Sequence, residues 1–393
     1  MKKNSSMMSE KYIECSPMLV MEGYKFIQNR CRKLGTNIFQ GRLLGKKVIF
    51  VSGADAAKVF YNAKYFKRKG VAPKIVQKTL FGENGVQGLD GPDHDLRKFM
   101  FMTIMTPQNM MRLNTIMDKQ LHIHANRWVQ KDRILLFDQI QELLTEVACQ
   151  WAGVPLSETE IRLRADDMGK MVDGFGSIGS RFIQGMQARK RSEVWMRDIV
   201  NNIRKSSILL DKECAAYIIA WHRNAKGELL SPQIAAVELI NIIRPIVAIA
   251  TYITFGSVAM EKYKDCYEKL QSGDEEYAYN FVQEVRRFYP FAPFVGAIVK
   301  KSFTWKNNKF AKGTLTIFDI YGTNHDSKIW DKPNEFRPER FKDWKEDPYS
   351  FVPQGGGDPT IGHRCAGEMV TIQIMKECLL FLANKLEYKV PVQ

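Results

Sequence analysis

Residues 231–251 restrict the fold more than any other part of the sequence. The segment is almost wholly apolar, and Ser231 followed by Pro232 is a typical helix start. A helix that is apolar on all sides must be buried, so the chain has to build a core that surrounds it. With 45% hydrophobic residues among 393, the sequence supplies enough material for such a core.

Two neighbouring residues are unusual inside a buried apolar helix. Arg244 places a charge among apolar side chains, and Pro245 removes a backbone N–H from the hydrogen-bond ladder. An unpaired buried charge costs on the order of several kcal/mol, and such violations tend to mark functional sites. The alternative is that Arg244 pairs with an internal carboxylate and Pro245 only kinks the helix.

The remaining pattern predicts a mainly α fold with a small β portion. We find no internal repeat and no linker, so residues 1–393 are expected to form a single domain. Strands at 37–39 and 47–51, joined by a turn at Leu44-Gly45, predict a hairpin. The other expectations are a helix over 54–66, helices from 107 to 267 and a strand cluster over 303–321.

Charge and cysteine content narrow the class of protein. The formal charge of +15 favours anionic partners, namely nucleic acid, acidic lipid or a carboxylate substrate. The basic residues are scattered among acids and no RNA-binding signature appears, so we expect a solvated basic surface and no nucleic-acid partner. Seven cysteines without C-x-x-C spacing argue against disulfides and structural zinc, and indicate a reducing cytoplasm. No apolar run near 20 residues is evident, so neither secretion nor a transmembrane segment is expected.

A glycine-rich loop at residues 351–368 carries the most informative cysteine. Cys365 directly precedes a helical pattern over 369–386. The helix dipole and the neighbouring His363 and Arg364 favour its thiolate, while the glycines allow a flat macrocycle to approach the backbone. A lone cysteine is more often structural, so this motif needs support from others.

Two weaker motifs precede the loop. Glu284 and Arg287 lie three residues apart on a predicted helix that stops before Pro290, and Arg340 lies in an aromatic and basic turn over 336–341. Each alone is also typical of an ordinary helix surface or loop. Their fixed order before the cysteine loop makes them informative together.

In this order the three motifs resemble the cytochrome P450 family. The resemblance implies that Cys365 is the axial ligand of the iron of haem b, and that Glu284, Arg287 and Arg340 form a buried structural charge triad. The family usually carries phenylalanine and glycine where this chain has Asp358 and Ile361. Residues 353–357 and 362–364 instead resemble the bacterial fatty-acid peroxygenase branch, whose cysteine loop is rearranged.

The Arg244-Pro245 pair fits the same branch. Monooxygenases of the family carry an acid and a threonine at this place, which the branch replaces with Arg-Pro. The resemblance implies that Arg244 holds the carboxylate of a long-chain fatty acid and that this carboxylate acts as the acid-base group, with Pro245 part of the catalytic pair. The implied reaction is hydroxylation at the α or β carbon by hydrogen peroxide without an obligatory reductase, with minor decarboxylation to terminal alkenes.

Other residues follow from the resemblance alone. Residues 80–91 resemble the branch's loop over the haem, where glutamine, here the catalytic candidate Gln87, is found in hydroxylating members and histidine in alkene-forming ones. The cofactor-binding candidates besides Cys365 are His94, Lys98, His363 and Arg364. The candidates for contact with the acyl chain, besides Arg244, are Phe81, Val172, Phe175 and Phe291.

Alternatives stay open at this stage. A reductase-dependent P450 monooxygenase, a non-catalytic haem or fatty-acid carrier and a basic nucleic-acid-binding protein remain rival functions. The sequence ends at Gln393, where family members usually continue into a further hairpin, so we expect a shortened C-terminus. Oligomeric state, chain-length preference and the choice between α and β carbon are left undecided by the sequence.

Overall fold

The computed structural model describes residues 7–9 and 14–390. The residues 1–6 considered for a signal sequence lie outside this range. The helices are α1 (Ser16–Glu22), α2 (Phe26–Leu34), α3 (Ala54–Phe60), α4 (Lys74–Gln77), α5 (Pro92–Ile104), α6 (Pro107–Trp128), α7 (Leu136–Ala152), α8 (Ile161–Asp173), α9 (Ser180–Arg204), α10 (Ala215–Ala220), α11 (Pro232–Ala248), α12 (Ala250–Lys262), α13 (Lys264–Gln271), α14 (Glu275–Phe288), α15 (Ile320–Asn324) and α16 (Glu368–Asn384). The strands are β1 (Ile38–Leu43), β2 (Lys46–Ser52), β3 (Phe66–Lys67), β4 (Phe294–Val299), β5 (Phe303–Trp305), β6 (Asn308–Phe310) and β7 (Leu315–Asp319). The predicted mainly α fold with a small β portion is confirmed.

Contacts divide the chain into two compact units, each built from separated segments. The first unit comprises the residues up to Val71 together with Arg286–Arg337 and Asp343–Cys365. The second comprises Ala72–Val285, Pro338–Lys342 and the residues from Ala366 onwards. The expectation of a single domain over 1–393 stays a prediction.

The first unit is organised around one mixed sheet. Its strand order is β1-β2-β7-β4-β3, with β2 and β7 parallel and the other neighbours antiparallel. The predicted hairpin is confirmed: Leu44 and Gly45 link β1 to β2 with φ angles of 48° and 73°, which a primed two-residue turn requires. Phe60, Phe310 and Phe318 are buried in the core beside the sheet.

Two predicted boundaries in this unit are wrong. The helix expected over 54–66 ends at Phe60, because Phe66 leaves the helix to pair with Val299 in the sheet. The strand cluster expected over 303–321 ends at Asp319, because its carboxylate accepts a hydrogen bond from the N–H of Gly322 at 2.8 Å and starts α15. Strand β4 was not predicted.

In the second unit α11 is the central helix. It packs against α7, α8, α9 and α10, and its residues from Ala235 to Val247 are buried apart from Pro245. Ser231 caps it as predicted, its Oγ accepting a hydrogen bond from the N–H of Ile234 at 3.2 Å. The helix continues one turn past Pro245, which cannot donate to the carbonyl of Asn241.

The expectation that no apolar run approaches membrane length is wrong. By length and composition alone, Pro232–Lys262 is long and apolar enough to cross a membrane. However, 78% of its most apolar window is buried within the part of the chain that the structure describes. This burial is typical of a core helix, in agreement with the position of α11 in the second unit.

Candidate functional site: a thiol loop and a buried arginine helix

The thiol loop lies in the first unit. Cys365 is half-buried and forms no disulfide with another described cysteine, and its backbone N–H donates to the carbonyl of Gln354 at 3.0 Å. Gly355 adopts a φ of 103°, and a Cβ added there would lie 3.2 Å from the Cα of Arg364. Gly356 is equally confined, since its Cβ would lie 3.0 Å from the carbonyl oxygen of Pro348. The glycines therefore allow the loop before the cysteine to fold closely upon itself.

Buried arginines hold this loop. Arg364 is 8% exposed, donates to the carbonyl of Gly357 at 3.0 Å and pairs with Glu346 at 2.5 Å. Fully buried Arg286 donates to the side-chain oxygen of Gln354 at 2.9 Å. The backbone carbonyl of this same Gln354 accepts the hydrogen bond from the N–H of Cys365. His363 is half-buried in the same loop. The backbone around Cys365 is thus fixed by buried charged donors.

The structure gives contacts for each of the three residues that were expected to form a charge triad. Glu284 is fully buried, accepts a hydrogen bond from the Nε of Arg340 at 3.2 Å and forms an ion pair with the same nitrogen at 3.1 Å, both residues belonging to the second unit. In the first unit, fully buried Arg287 donates to the carbonyls of Asn324 and Pro333, each at 2.9 Å, and of Glu335 at 3.2 Å. Arg287 therefore fastens the irregular chain between α15 and residue 335.

Helix α5 concentrates buried basic groups in the second unit. His94, Arg97 and Lys98 are 4%, 7% and 5% exposed. Burial lowers the pKa of the His94 imidazole, although the neighbouring carboxylate of Asp95 opposes the shift. Arg97 pairs with the fully buried carboxylate of Glu238 on α11. His94 and Lys98, one helical turn apart, are therefore placed on one side of α5, as their predicted role in binding anionic groups requires.

Arg244 lies on α11 and is only 5% exposed. On the preceding turns of the same helix are Asn241, 7% exposed, and fully buried Glu238. The Nδ2 of Asn241 donates to Glu238 at 2.9 Å and to the side-chain oxygen of Gln87 at 3.3 Å. The structure thus brings Gln87 into contact with the helix that carries Arg244.

The loop over residues 80–91 is held to α9 and α11. Fully buried Arg189 donates to the carbonyls of Leu80 at 3.0 Å and Phe81 at 3.5 Å. Gly82 has a φ of 77°, and a Cβ there would lie 2.1 Å from the Arg189 Nη2. Glycine at this position is therefore required for both the backbone conformation and the close approach of the guanidinium.

Three of the four candidates for acyl-chain contact lie together in the second unit. The rings of Phe81 and Phe175 meet edge to face with centroids 5.1 Å apart. Val172 lines a small pocket, with Val247 and Ala248 of α11 among the other lining residues. Phe291 belongs to the first unit, where its carbonyl accepts a hydrogen bond from the Tyr24 hydroxyl at 3.1 Å.

Sequence reasoning missed four residues of this region: Arg97, Arg189, Glu238 and Asn241. A signal existed for two of them, because Glu238 and Asn241 are polar residues inside the apolar helix, six and three positions before Arg244. Arg97 and Arg189 gave no signal, because a basic residue on a helix is usually solvated. Their burial depends on partners distant in sequence.

The residues present fit a haem on chemical grounds. The first unit offers a half-buried cysteine thiol in a tightly folded glycine-rich loop, and soft thiolate is a ligand of haem iron. The second unit offers buried basic groups on α5 that would complement two propionates. No cluster of at least three His, Cys, Asp or Glu suited to a bare metal ion occurs among the described residues.

Comparisons with known proteins agree with this donor set. The cytochrome P450 family model matches residues 262–392. A variant of cytochrome P450SP alpha (CYP152B1) is 44% identical with a TM-score of 0.94, covering 97% of this chain and 93% of its own. Cytochrome P450EX alpha (CYP152N1) with myristic acid is 43% identical, with a TM-score of 0.94 and coverages of 98% and 93%. Ligand-free cytochrome P450 OleT is 35% identical, with a TM-score of 0.96 and the same coverages. This chain belongs to the cytochrome P450 family.

Proposed function

We propose that this chain is a haem-thiolate peroxygenase that uses hydrogen peroxide to hydroxylate long-chain fatty acids at the α or β carbon. The observation that carries the proposal is a guanidinium, Arg244, that is 5% exposed on an apolar helix and followed by proline. The similarity of the whole chain to a structure that holds myristic acid supports a fatty acid as the anion bound by Arg244.

Arg244 is suited to anchoring a carboxylate. A guanidinium stays charged at any relevant pH and presents a planar fork to the two carboxylate oxygens. Because the residue is buried, the pairing is not screened by water or salt. The apolar chain of the substrate is then directed among side chains such as Phe81, Phe175 and Val172, with Phe291 as a further contact.

The bound carboxylate supplies the proton relay in this proposal. It takes a proton from one oxygen of hydrogen peroxide and returns it to the other oxygen. The O–O bond then breaks, the protonated oxygen leaves as water, and the remaining oxygen is the one that is transferred to the substrate. Holding the carboxylate at Arg244 makes this relay intramolecular within the complex. The Arg-Pro pair thereby replaces the acid and threonine that deliver protons in reductase-dependent monooxygenases. Because hydrogen peroxide supplies oxygen that is already reduced by two electrons, no electron-transfer partner is required.

Haem b is the proposed cofactor, with Cys365 as its axial ligand and His94, Lys98, His363 and Arg364 as groups around its propionates. When bound, it would supply the oxidising chemistry that inserts peroxide oxygen into a C–H bond. The ion pair of Glu284 with Arg340 and the carbonyl contacts of Arg287 serve the fold rather than turnover.

Further parts of the proposal follow from the same arrangement. Gln87 favours hydroxylation over decarboxylation, with terminal alkenes as a minor product. We propose one functional P450 domain in the cytoplasm with no nucleic-acid partner. The seven cysteines, all of which lie in the described residues, form no disulfides, as is typical of proteins in a reducing compartment.

The test is turnover of haem-loaded protein with a saturated fatty acid and hydrogen peroxide, without any reductase, followed by gas chromatography and mass spectrometry. Hydroxy acids with the hydroxyl on the α or β carbon are expected. Product formation only with an electron-donor system would support the monooxygenase alternative. Fatty-acid and haem binding without any product under either condition would support the carrier alternative.

A further inference from the structure

Glu238 joins three elements of the second unit through one buried carboxylate. Its Oε1 accepts the backbone N–H of Val86 at 2.9 Å and pairs with Nη1 of Arg97. Its Oε2 accepts the side-chain N–H of Asn241 at 2.9 Å. Glu238 itself has no exposed surface. The carboxylate therefore links α5, α11 and the loop that carries Gln87.

Asn241 extends this link to Gln87. Its Nδ2 donates to both Glu238 and the Oε1 of Gln87, while its Oδ1 is buried without a hydrogen-bond partner in the described structure. Gly85 makes the approach possible, since a Cβ there would lie 3.0 Å from the Asn241 Nδ2 and 3.2 Å from the Gln87 Oε1. The amide of Gln87 is thus oriented by a donor that Glu238 orients in turn.

This group lies close to the end of the substrate that reacts. Asn241 and Arg244 are three residues apart and share a face of α11, where such neighbours are about 5 to 6 Å apart at Cβ. Under the proposed function, Arg244 holds the carboxylate, so the α and β carbons are the part of the chain nearest to Gln87. A change in the orientation of Gln87 alters which of these two carbons is presented for attack.

Burying an ionised carboxylate costs free energy, so the position of Glu238 needs a structural explanation. Burial raises the pKa of Glu238, and the charge of Arg97 is the main effect opposing that rise. A pair that only joined α5 to α11 could be replaced by apolar side chains without loss, and often with gain. An apolar pair, however, could not accept the N–H groups of Val86 and Asn241.

We propose that Glu238 is a positioning residue that orients Gln87 through Asn241 and Val86, and so determines the ratio of α to β hydroxylation. The proposal rests on the proposed function, because the ratio exists only if the chain hydroxylates fatty acids. It assigns Glu238 no contact with substrate or cofactor.

The test is a double-mutant cycle between Glu238→Gln and Gln87→Ala in the haem-loaded protein. Glu238→Gln keeps the size of the side chain but replaces one acceptor oxygen with a donor. With Gln87 present, we expect the α to β ratio to shift about threefold or more, the change that corresponds to one lost net hydrogen bond. With Gln87→Ala, we expect Glu238→Gln to change the ratio much less, because the group it orients is gone.

Glu146→Gln is the matched control. Glu146 is another carboxylate of this unit that pairs with a buried basic side chain, His124, at 2.8 Å, and it lies on α7. It should leave the α to β ratio unchanged with or without Gln87. If Glu238→Gln impairs haem loading, the double variant Glu238→Gln with Arg97→Met removes both charges together, and the same shift in ratio is expected.

Amide hydrogen exchange gives a second readout that does not depend on activity. In Glu238→Gln, the peptide containing Val86 should exchange about tenfold faster than in wild type, because its N–H loses a charged acceptor. An unchanged ratio, or an equal shift with and without Gln87, overturns the proposal, as does unchanged exchange at Val86. A wild-type protein that makes no hydroxy acid refutes the proposed function itself, and the inference about regioselectivity with it.

Discussion

Replacing Gly82 with alanine tests how the loop over residues 80–91 is held. At φ 77° an alanine adopts a left-handed conformation, which costs about 1 to 2 kcal/mol. Its Cβ would also lie 2.1 Å from the Arg189 Nη2 and 2.7 Å from the Val237 Cγ1. Arg189 must therefore move, and Val237 is a β-branched side chain on the central helix with little freedom to do so.

Displacement of Arg189 has its own cost. The guanidinium is buried, donates to the Leu80 carbonyl at 3.0 Å and keeps its pair with Glu193 at 2.6 Å. Leaving a buried carbonyl without its donor costs about 1 to 3 kcal/mol. Together with the backbone strain, we expect Gly82→Ala to lower the free energy of unfolding by about 2 to 5 kcal/mol.

The assay is urea unfolding of the haem-loaded protein, with Gly88→Ala as the control. Gly88 lies in the same loop, has no φ in the left-handed region and has no heavy atom within 4 Å of an added Cβ. Its substitution should change the unfolding free energy by less than about 0.5 kcal/mol. Equal stability of the two variants would refute the reasoning, because it would mean that Arg189 does not hold this loop as the structure describes.

Three further predictions concern charge. Arg244→Lys keeps the charge but loses the planar fork. The dissociation constant for a fatty acid, measured from the Soret shift on binding, should therefore rise about 10- to 100-fold. An unchanged constant would exclude a bidentate anchor. Glu284→Gln removes the carboxylate charge that pairs with the buried Arg340 guanidinium, so urea unfolding should show a loss of about 3 to 5 kcal/mol, and a loss below about 1 kcal/mol would contradict the pairing. Burial raises the pKa of Asp319 from 3.8 to about 7, so the folded state holds a proton that the unfolded state releases between these values. Between pH 4 and pH 8, the free energy of unfolding of the wild type should therefore fall by about 4 kcal/mol relative to that of Asp319→Asn. Parallel pH profiles of the two proteins would contradict that pKa.

The sequence predicted those features whose signal is local. The hairpin follows from Leu44-Gly45 between β-branched runs, and the central helix follows from its apolar run and its Ser231 cap. Cys365, with its glycine-rich surroundings, was recognisable for the same reason. In each case the residues that determine the structure lie within a few positions of one another.

The parts that could not be predicted depend on contacts distant in sequence. Strand β3 has only two residues and exists because Phe66 and Lys67 pair with β4, more than 200 positions later. The pair of Arg97 and Glu238 joins helices 141 positions apart. No residue near either of them in sequence indicates which partner it meets, so only the folded chain shows that they pair.

Labelled hydrogen peroxide provides the most direct test of the peroxygenase claim. Haem-loaded protein, a saturated fatty acid and H₂¹⁸O₂ are combined without any reductase, and the hydroxy-acid products are analysed by mass spectrometry. The account predicts ¹⁸O in the new hydroxyl group on the α or β carbon, and almost no product from an alkane of similar chain length that lacks a carboxylate for Arg244. Unlabelled products, or equal turnover of the alkane, would contradict it.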